Sequence, residues 1–204
     1  MLTTLLALRP DERDAELERL LNIAVDVRTS PPGHELIGYH ASALAPVAAA
    51  LLETQTNAED YFVDLGSGLG KVTALARLFT GARVLGVELQ AELIDRAVKL
   101  DGVEYFHGDV RDAPLEQGTV FYLYNPFSGA VLDQVLTKLR CVAEHHAIVL
   151  CTLGLTLGEH PWLRARPLEH FWLQIFDSHL PGVAPRRVLT HAHDPRLERL
   201  ANSA

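Results

Sequence analysis

The stretch Asp64-Leu65-Gly66-Ser67-Gly68-Leu69-Gly70 constrains this chain more than any other. It follows Tyr61-Phe62-Val63, an aromatic and β-branched run with the character of a short buried strand. It leads into Lys71 to Phe79, which has helical periodicity. Three glycines at alternate positions between a strand and a helix let the backbone turn tightly and approach a ligand closely. The free N–H groups of the following helix would then face whatever sits there. Asp64 adds an acceptor at the strand end. The pattern is that of a loop for a nucleotide-type cofactor.

From this loop onward the chain alternates. Strands are expected at Tyr61–Leu65, Arg83–Glu88, Val103–Phe106, Thr119–Tyr124 and Ala147–Cys151, with helices from about Gly70, over Ala91–Leu100 and over Gly129–Leu139. Near-continuous apolar strands alternating with helices require a parallel sheet covered on both faces. Phe171–Phe176 and Arg187–His191 read as two more strands, too close in sequence for a helical crossover and so antiparallel. The expected fold is therefore α/β, a Rossmann-like doubly wound, mostly parallel seven-stranded sheet with an antiparallel last strand and helices on both faces. Upstream, Pro10–Ala24 reads as an amphipathic helix and Ala43–Leu52 as an apolar one with Ser42 as its N-cap. His193–Ala204 reads as a polar tail. With 204 residues the chain suits a single domain, a helical segment over 1–55 preceding a core over 60–194.

The glycine spacing separates cofactors. A dinucleotide fingerprint needs G-x-G-x-x-G, and its third glycine position is Lys71 here. A phosphate-binding P-loop fails too, because Gly66 and Gly70-Lys71 are wrongly spaced and Val72 replaces the metal-binding hydroxyl.

Val63 to Gly70 resembles the first motif of class I S-adenosylmethionine-dependent methyltransferases. The resemblance continues in order through Val84-Leu85-Gly86-Val87-Glu88-Leu89, Gly108-Asp109-Val110 and Tyr124-Asn125-Pro126-Phe127. It implies S-adenosylmethionine as cofactor. Asp64 would then lie near the methionine amino group, with the backbone of Gly66, Ser67, Gly68 and Gly70 passing beneath methionine and ribose. Glu88 would take the ribose hydroxyls, Leu89 would pack on adenine, and Asp109 with the Val110 N–H would meet the adenine edge. Asn125-Pro126-Phe127 is similar to the [N/D]-P-P-[Y/F] motif that orients amino acceptors, with one proline in place of two; these residues are the catalytic candidates, Asn125 also bordering the cofactor. The alternative for them is a strand-terminating turn. Gly38-Tyr39-His40-Ala41-Ser42 loosely resembles the cofactor-capping segment of non-SET histone-lysine methyltransferases and their bacterial relatives, which would bring Tyr39 or His40 near the cofactor.

Charge and composition bound the partners. The net charge of −8 gives no global basic field, so neither nucleic acid nor an anionic membrane is an expected partner. Two cysteines make no disulfide framework, and ten histidines show no metal-ligand spacing, so no metal is expected. No signal peptide or membrane span is visible, which makes the cytoplasm the expected location. The function expected is an S-adenosylmethionine-dependent methyltransferase releasing S-adenosylhomocysteine, with a protein or small-molecule amine favoured as the otherwise unknown methyl acceptor. The alternatives are a non-catalytic S-adenosylmethionine-binding regulatory protein and a dinucleotide-dependent oxidoreductase.

Overall fold

Along the first strand, β1 (Tyr61–Leu65), alternate side chains enter different cores. Phe62 packs into one apolar cluster, while Val63 and Leu65 pack into another. This is the signature of a strand buried on both faces, and it repeats in β2 (Arg83–Glu88), β4 (Val120–Tyr124) and β5 (Val149–Leu153). In a computed structural model that describes residues 1–23, 41–168, 172–186 and 195–202, these strands join β3 (Val103–His107), β6 (Leu163–Ala165) and β7 (Leu173–Ser178) in one seven-stranded sheet. The order is β3-β2-β1-β4-β5-β7-β6. Neighbours run parallel from β3 to β5, and β7 is antiparallel to both β5 and β6. The strand order reverses between β1 and β4, and their carboxyl ends frame the crevice in which such sheets bind ligands.

Helices cover both faces. The apolar residues of α3 (Leu44–Glu53) and α7 (Pro195–Ala201), with Val72, Leu75 and Ala76 of α4 (Lys71–Thr80), pack in the cluster that holds Phe62. Leu5 of α1 (Leu2–Leu6) and Leu17 of α2 (Pro10–Leu20) join it. On the other face α6 (Gly129–Ala143) buries Val135, Leu136 and Leu139.

Several expectations shift. The helix after β2, α5, spans only Ala91–Arg96, because Ala97 turns extended and Val98 donates its N–H to the Leu69 carbonyl at 3.0 Å. Ser42 does not cap α3. The N-cap is Ala43, and the first helical N–H, that of Leu44, donates instead to Asp14 Oδ1 at 2.9 Å. Among the described residues the antiparallel pair at this edge is β6 with β7. Its later member, expected at Phe171–Phe176, is β7 at Leu173–Ser178; the expected strand Arg187–His191 lies outside the described residues. The supposed polar tail contains α7, whose Leu197, Leu200 and Ala201 are buried. Among the described residues no helix is long and apolar enough to cross a membrane.

Candidate functional site

The glycine loop owes its course to three glycines, each with positive φ: +92° at Gly66, +53° at Gly68 and +77° at Gly70. L-side chains rarely adopt such values. The space is as restrictive as the backbone. A Cβ on Gly66 would stand 2.6 Å from Pro126 Cβ, so the loop after β1 packs directly on the loop after β4. A Cβ on Gly70 would strike the Tyr105 hydroxyl. Tyr105 comes from β3 and passes over Gly86 of β2, where a Cβ would meet its ring at 2.7 Å. Its hydroxyl donates to the Val98 carbonyl at 2.8 Å and lies 2.8 Å from the Thr73 hydroxyl in the first turn of α4. Tyr105 thus braces the turn from behind.

Gly66 and Ser67 donate their N–H groups to the Val87 carbonyl at 2.8 and 2.9 Å, fixing the loop to the end of β2. The Gly68 N–H donates to Glu88 Oε2 at 2.9 Å, and the Gln90 N–H to Glu88 Oε1 at 2.9 Å. Glu88 is buried, and each of its oxygens keeps acceptor capacity after these bonds.

Lys71, the residue that spoils the dinucleotide fingerprint, is also buried. Its Nζ lies 2.6 Å from Asp14 Oδ1 and 2.8 Å from Glu18 Oε1, so its charge is spent on α2. The acids around the loop are left uncompensated by it.

These groups surround a cavity of about 210 Å³ at the carboxyl ends of β1, β2 and β4. Asp64, Gly66, Ser67, Glu88, Leu89, Asp109, Val110, Asn125, Pro126 and Phe127 all border it. Gly68 and Gly70 do not border it; they hold Glu88 and start α4. Tyr39 and His40 lie outside the described residues. Sequence reasoning assigned Ser42 to a helix cap, took Tyr124 only as the start of a motif and passed over Tyr122 and Arg111, and all four line the cavity.

The hydrogen-bond accounting of the cavity is unusual. Three buried side-chain polar atoms have no partner among the described residues: Asp64 Oδ2, Ser67 Oγ and Tyr122 Oη. All three residues border this one cavity. Buried polar groups are seldom left so, because an unmade bond costs about 1–3 kcal/mol. Burial, reinforced by the nearby Glu88 carboxylate, pushes the Asp64 carboxyl up to about 8. A cationic group placed here would reverse both effects.

Asp109 is held differently. Arg111 grips both its oxygens, Nε to Oδ1 at 2.9 Å and Nη2 to Oδ2 at 2.6 Å, and adds its backbone N–H to Oδ1 at 2.8 Å. The guanidinium hydrogen bonds hold the Asp109 carboxyl below its usual range. At the far side, Asn125 has φ +40°, a strained value outside glycine. Phe127 is packed into the α6-side cluster, and the half-exposed aromatic ring on this rim is Tyr124.

Residues 41–107 match the family model of the Histone methylation protein DOT1, a span running from the cavity-lining Ala41 to the end of β3. An RNA methyltransferase from Salinibacter ruber, solved with S-adenosyl-L-homocysteine, superposes with a TM-score of 0.55 at 24% identity, over 73% of this chain and 99% of that one. A SAM dependent methyltransferase from Aquifex aeolicus gives 0.52 at 14% identity, over 66% of this chain and 89% of that one. No curated protein matches the chain in sequence. In architecture, the chain shares the Rossmann-like fold of these S-adenosylmethionine-dependent methyltransferases.

Proposed function

We propose that the protein is an enzyme that binds S-adenosylmethionine in the cavity at the ends of β1, β2 and β4 and transfers its methyl group to an acceptor. The observation that carries this is the buried, unpartnered Asp64 carboxylate in a cavity already lined by Glu88. Two acids, with the charge of the cavity-lining Lys71 taken up by Asp14 and Glu18, suit a cationic ligand and oppose a pyrophosphate. That disfavours a dinucleotide.

The residues present fit the cofactor. Asp64 would receive its ammonium group, and Glu88, held rigidly by the Gly68 and Gln90 N–H groups, its ribose hydroxyls. Leu89 would cover the adenine, and Asp109 with the Val110 N–H would meet its edge. When bound, S-adenosylmethionine supplies an electrophilic methyl group for an acceptor lone pair. The chain's own task is then to position the acceptor and keep water out, since no dedicated nucleophile is needed. Asn125 and the Pro126-Phe127 backbone would orient an amine on a protein or small molecule, and the strain at Asn125 is consistent with such a role. Residues 1–55 would work with the 60–194 core as one unit, since Asp14 and Glu18 reach Lys71 beside the loop.

Thermal unfolding with S-adenosylmethionine, S-adenosylhomocysteine and NADH tests the assignment. A ligand at a hundred times its Kd stabilises by about 2.7 kcal/mol. The two sulfur ligands should do so and NADH should not. Asp64→Ala and Glu88→Ala should each weaken S-adenosylhomocysteine binding in calorimetry while the protein stays folded. Stabilisation by NADH alone, or unchanged affinity in both variants, overturns the reading. Transfer of labelled methyl groups to an extract, lost in Asn125→Ala, separates an enzyme from a cofactor-binding regulator.

A further inference from the structure

We propose that the Tyr122 hydroxyl makes this site selective for a ligand whose amino-acid end carries a free carboxylate. The inference rests on the reading of the cavity as a site for S-adenosylmethionine. Tyr122 and Asp64 are register partners on the adjacent parallel strands β4 and β1. Adjacent strands lie about 4.8 Å apart, and register partners project from the same face of the sheet. Both side chains are almost fully buried, both border the cavity, and both carry a polar atom with no partner among the described residues.

The two groups are chemically complementary. Asp64 can only accept hydrogen bonds when ionised. Tyr122 stays a neutral donor, because burial pushes its phenol well above the usual range against the smaller, opposing influence of the nearby Ser42 hydroxyl, with which it makes no hydrogen bond of normal geometry. An acceptor-only acid beside a hydroxyl donor matches an α-amino acid, whose ammonium and carboxylate sit on one carbon. Asp64 would take the ammonium and Tyr122 the carboxylate, with the ammonium lying between the two negative groups. The unpartnered Ser67 hydroxyl, on the loop that follows β1, is a second donor. The competing explanation is that Tyr122 is a core ring stacked near Phe62, 6.1 Å between centroids, whose hydroxyl is incidental.

Three probes separate these: S-adenosylhomocysteine, its decarboxylated analogue with an aminopropyl chain, and 5′-methylthioadenosine, which lacks both charged groups. The wild-type protein should bind S-adenosylhomocysteine roughly 10- to 100-fold more tightly than the aminopropyl analogue, the range of a hydrogen bond to a charged group. Tyr122→Phe should lose that advantage, with affinity for the other two probes unchanged. Without ligand, the variant should melt within a degree or so of the wild type, since the buried hydroxyl it removes makes no hydrogen bond of normal geometry, the Ser42 hydroxyl being its nearby polar neighbour. Equal wild-type affinity for S-adenosylhomocysteine and the aminopropyl analogue overturns the proposal without needing any variant. So does a Tyr122→Phe protein that keeps the advantage or weakens on all three probes alike. Wild type that binds none of the three overturns the S-adenosylmethionine reading itself, and this inference with it.

Discussion

Asp60 and Asp64 sit at opposite ends of the same strand region, both buried, and their surroundings are opposite. Asp60, just before β1, accepts from the Arg186 guanidinium through both oxygens, from the Thr119 hydroxyl at 2.8 Å and from the Asn57 N–H at 2.9 Å. Arg186 goes on to donate to the Thr54 and Gln55 carbonyls. Asp64, near the other end, keeps an oxygen with no partner and has a second acid beside it. A satisfied network of buried polar groups closes the amino end of the sheet. An unsatisfied one waits at the carboxyl end. Burial alone therefore does not distinguish the two acids, whereas the count of unmade bonds does.

The comparison can be broken at either end. The largest effect should follow Arg186→Met, which leaves Asp60 buried without its cation and should cost about 3–5 kcal/mol in denaturant unfolding. Its affinity for S-adenosylhomocysteine should be untouched. Next comes Asp64→Asn. The folded protein holds a proton on Asp64 up to about pH 8, whereas the unfolded chain releases it near 3.8. Between those values the folded state binds more protons, so this residue's contribution makes stability fall as pH rises from about 4 to 8 and level off above. Asp64→Asn should remove that slope, by up to a few kcal/mol at pH 8, seen as the difference between the two proteins' unfolding curves. If the slope is unchanged, Asp64 is not the strained group. The smallest effect should come from Lys71→Met. It unties α2 from the loop, but Asp14 still accepts from the Leu44 N–H. A loss of about 1–2 kcal/mol is expected, because the lysine is buried but Asp14 and Glu18 keep access to water once it is gone, and it is read as faster amide exchange over residues 10–20.

The first five strands were legible because each is a short apolar run bounded by breaks, and the glycine loop because its spacing admits few alternatives. What escaped the sequence depends on partners distant along the chain. Ser42 reads as a cap until Asp14, far upstream, is found accepting from the Leu44 N–H. Tyr122 sits inside an apolar strand, where a ring is ordinary, and only the register with Asp64 brings its hydroxyl to the cavity. The spacing of Leu197, Leu200 and Ala201 was present but masked by intervening charges. β6, three residues at a sheet edge, is too short to show a period.

The brace that Tyr105 makes over Gly86 to Gly70 bears on how such a sequence can change over generations. The ring fills room that two glycines leave open, and a side chain at either glycine would collide with it. At Gly70 the positive φ adds a second constraint, and at Gly86 the Ser67 hydroxyl does, 2.7 Å from a Cβ there but at the end of a side chain that can turn. A methyl group at position 86 can therefore become acceptable once residue 105 has lost its ring and the Ser67 side chain has turned aside, whereas the reverse order passes through a clash with the ring. The costs of changing 86 and 105 are not additive, and the history of this part of the fold should be written as paired, ordered replacements.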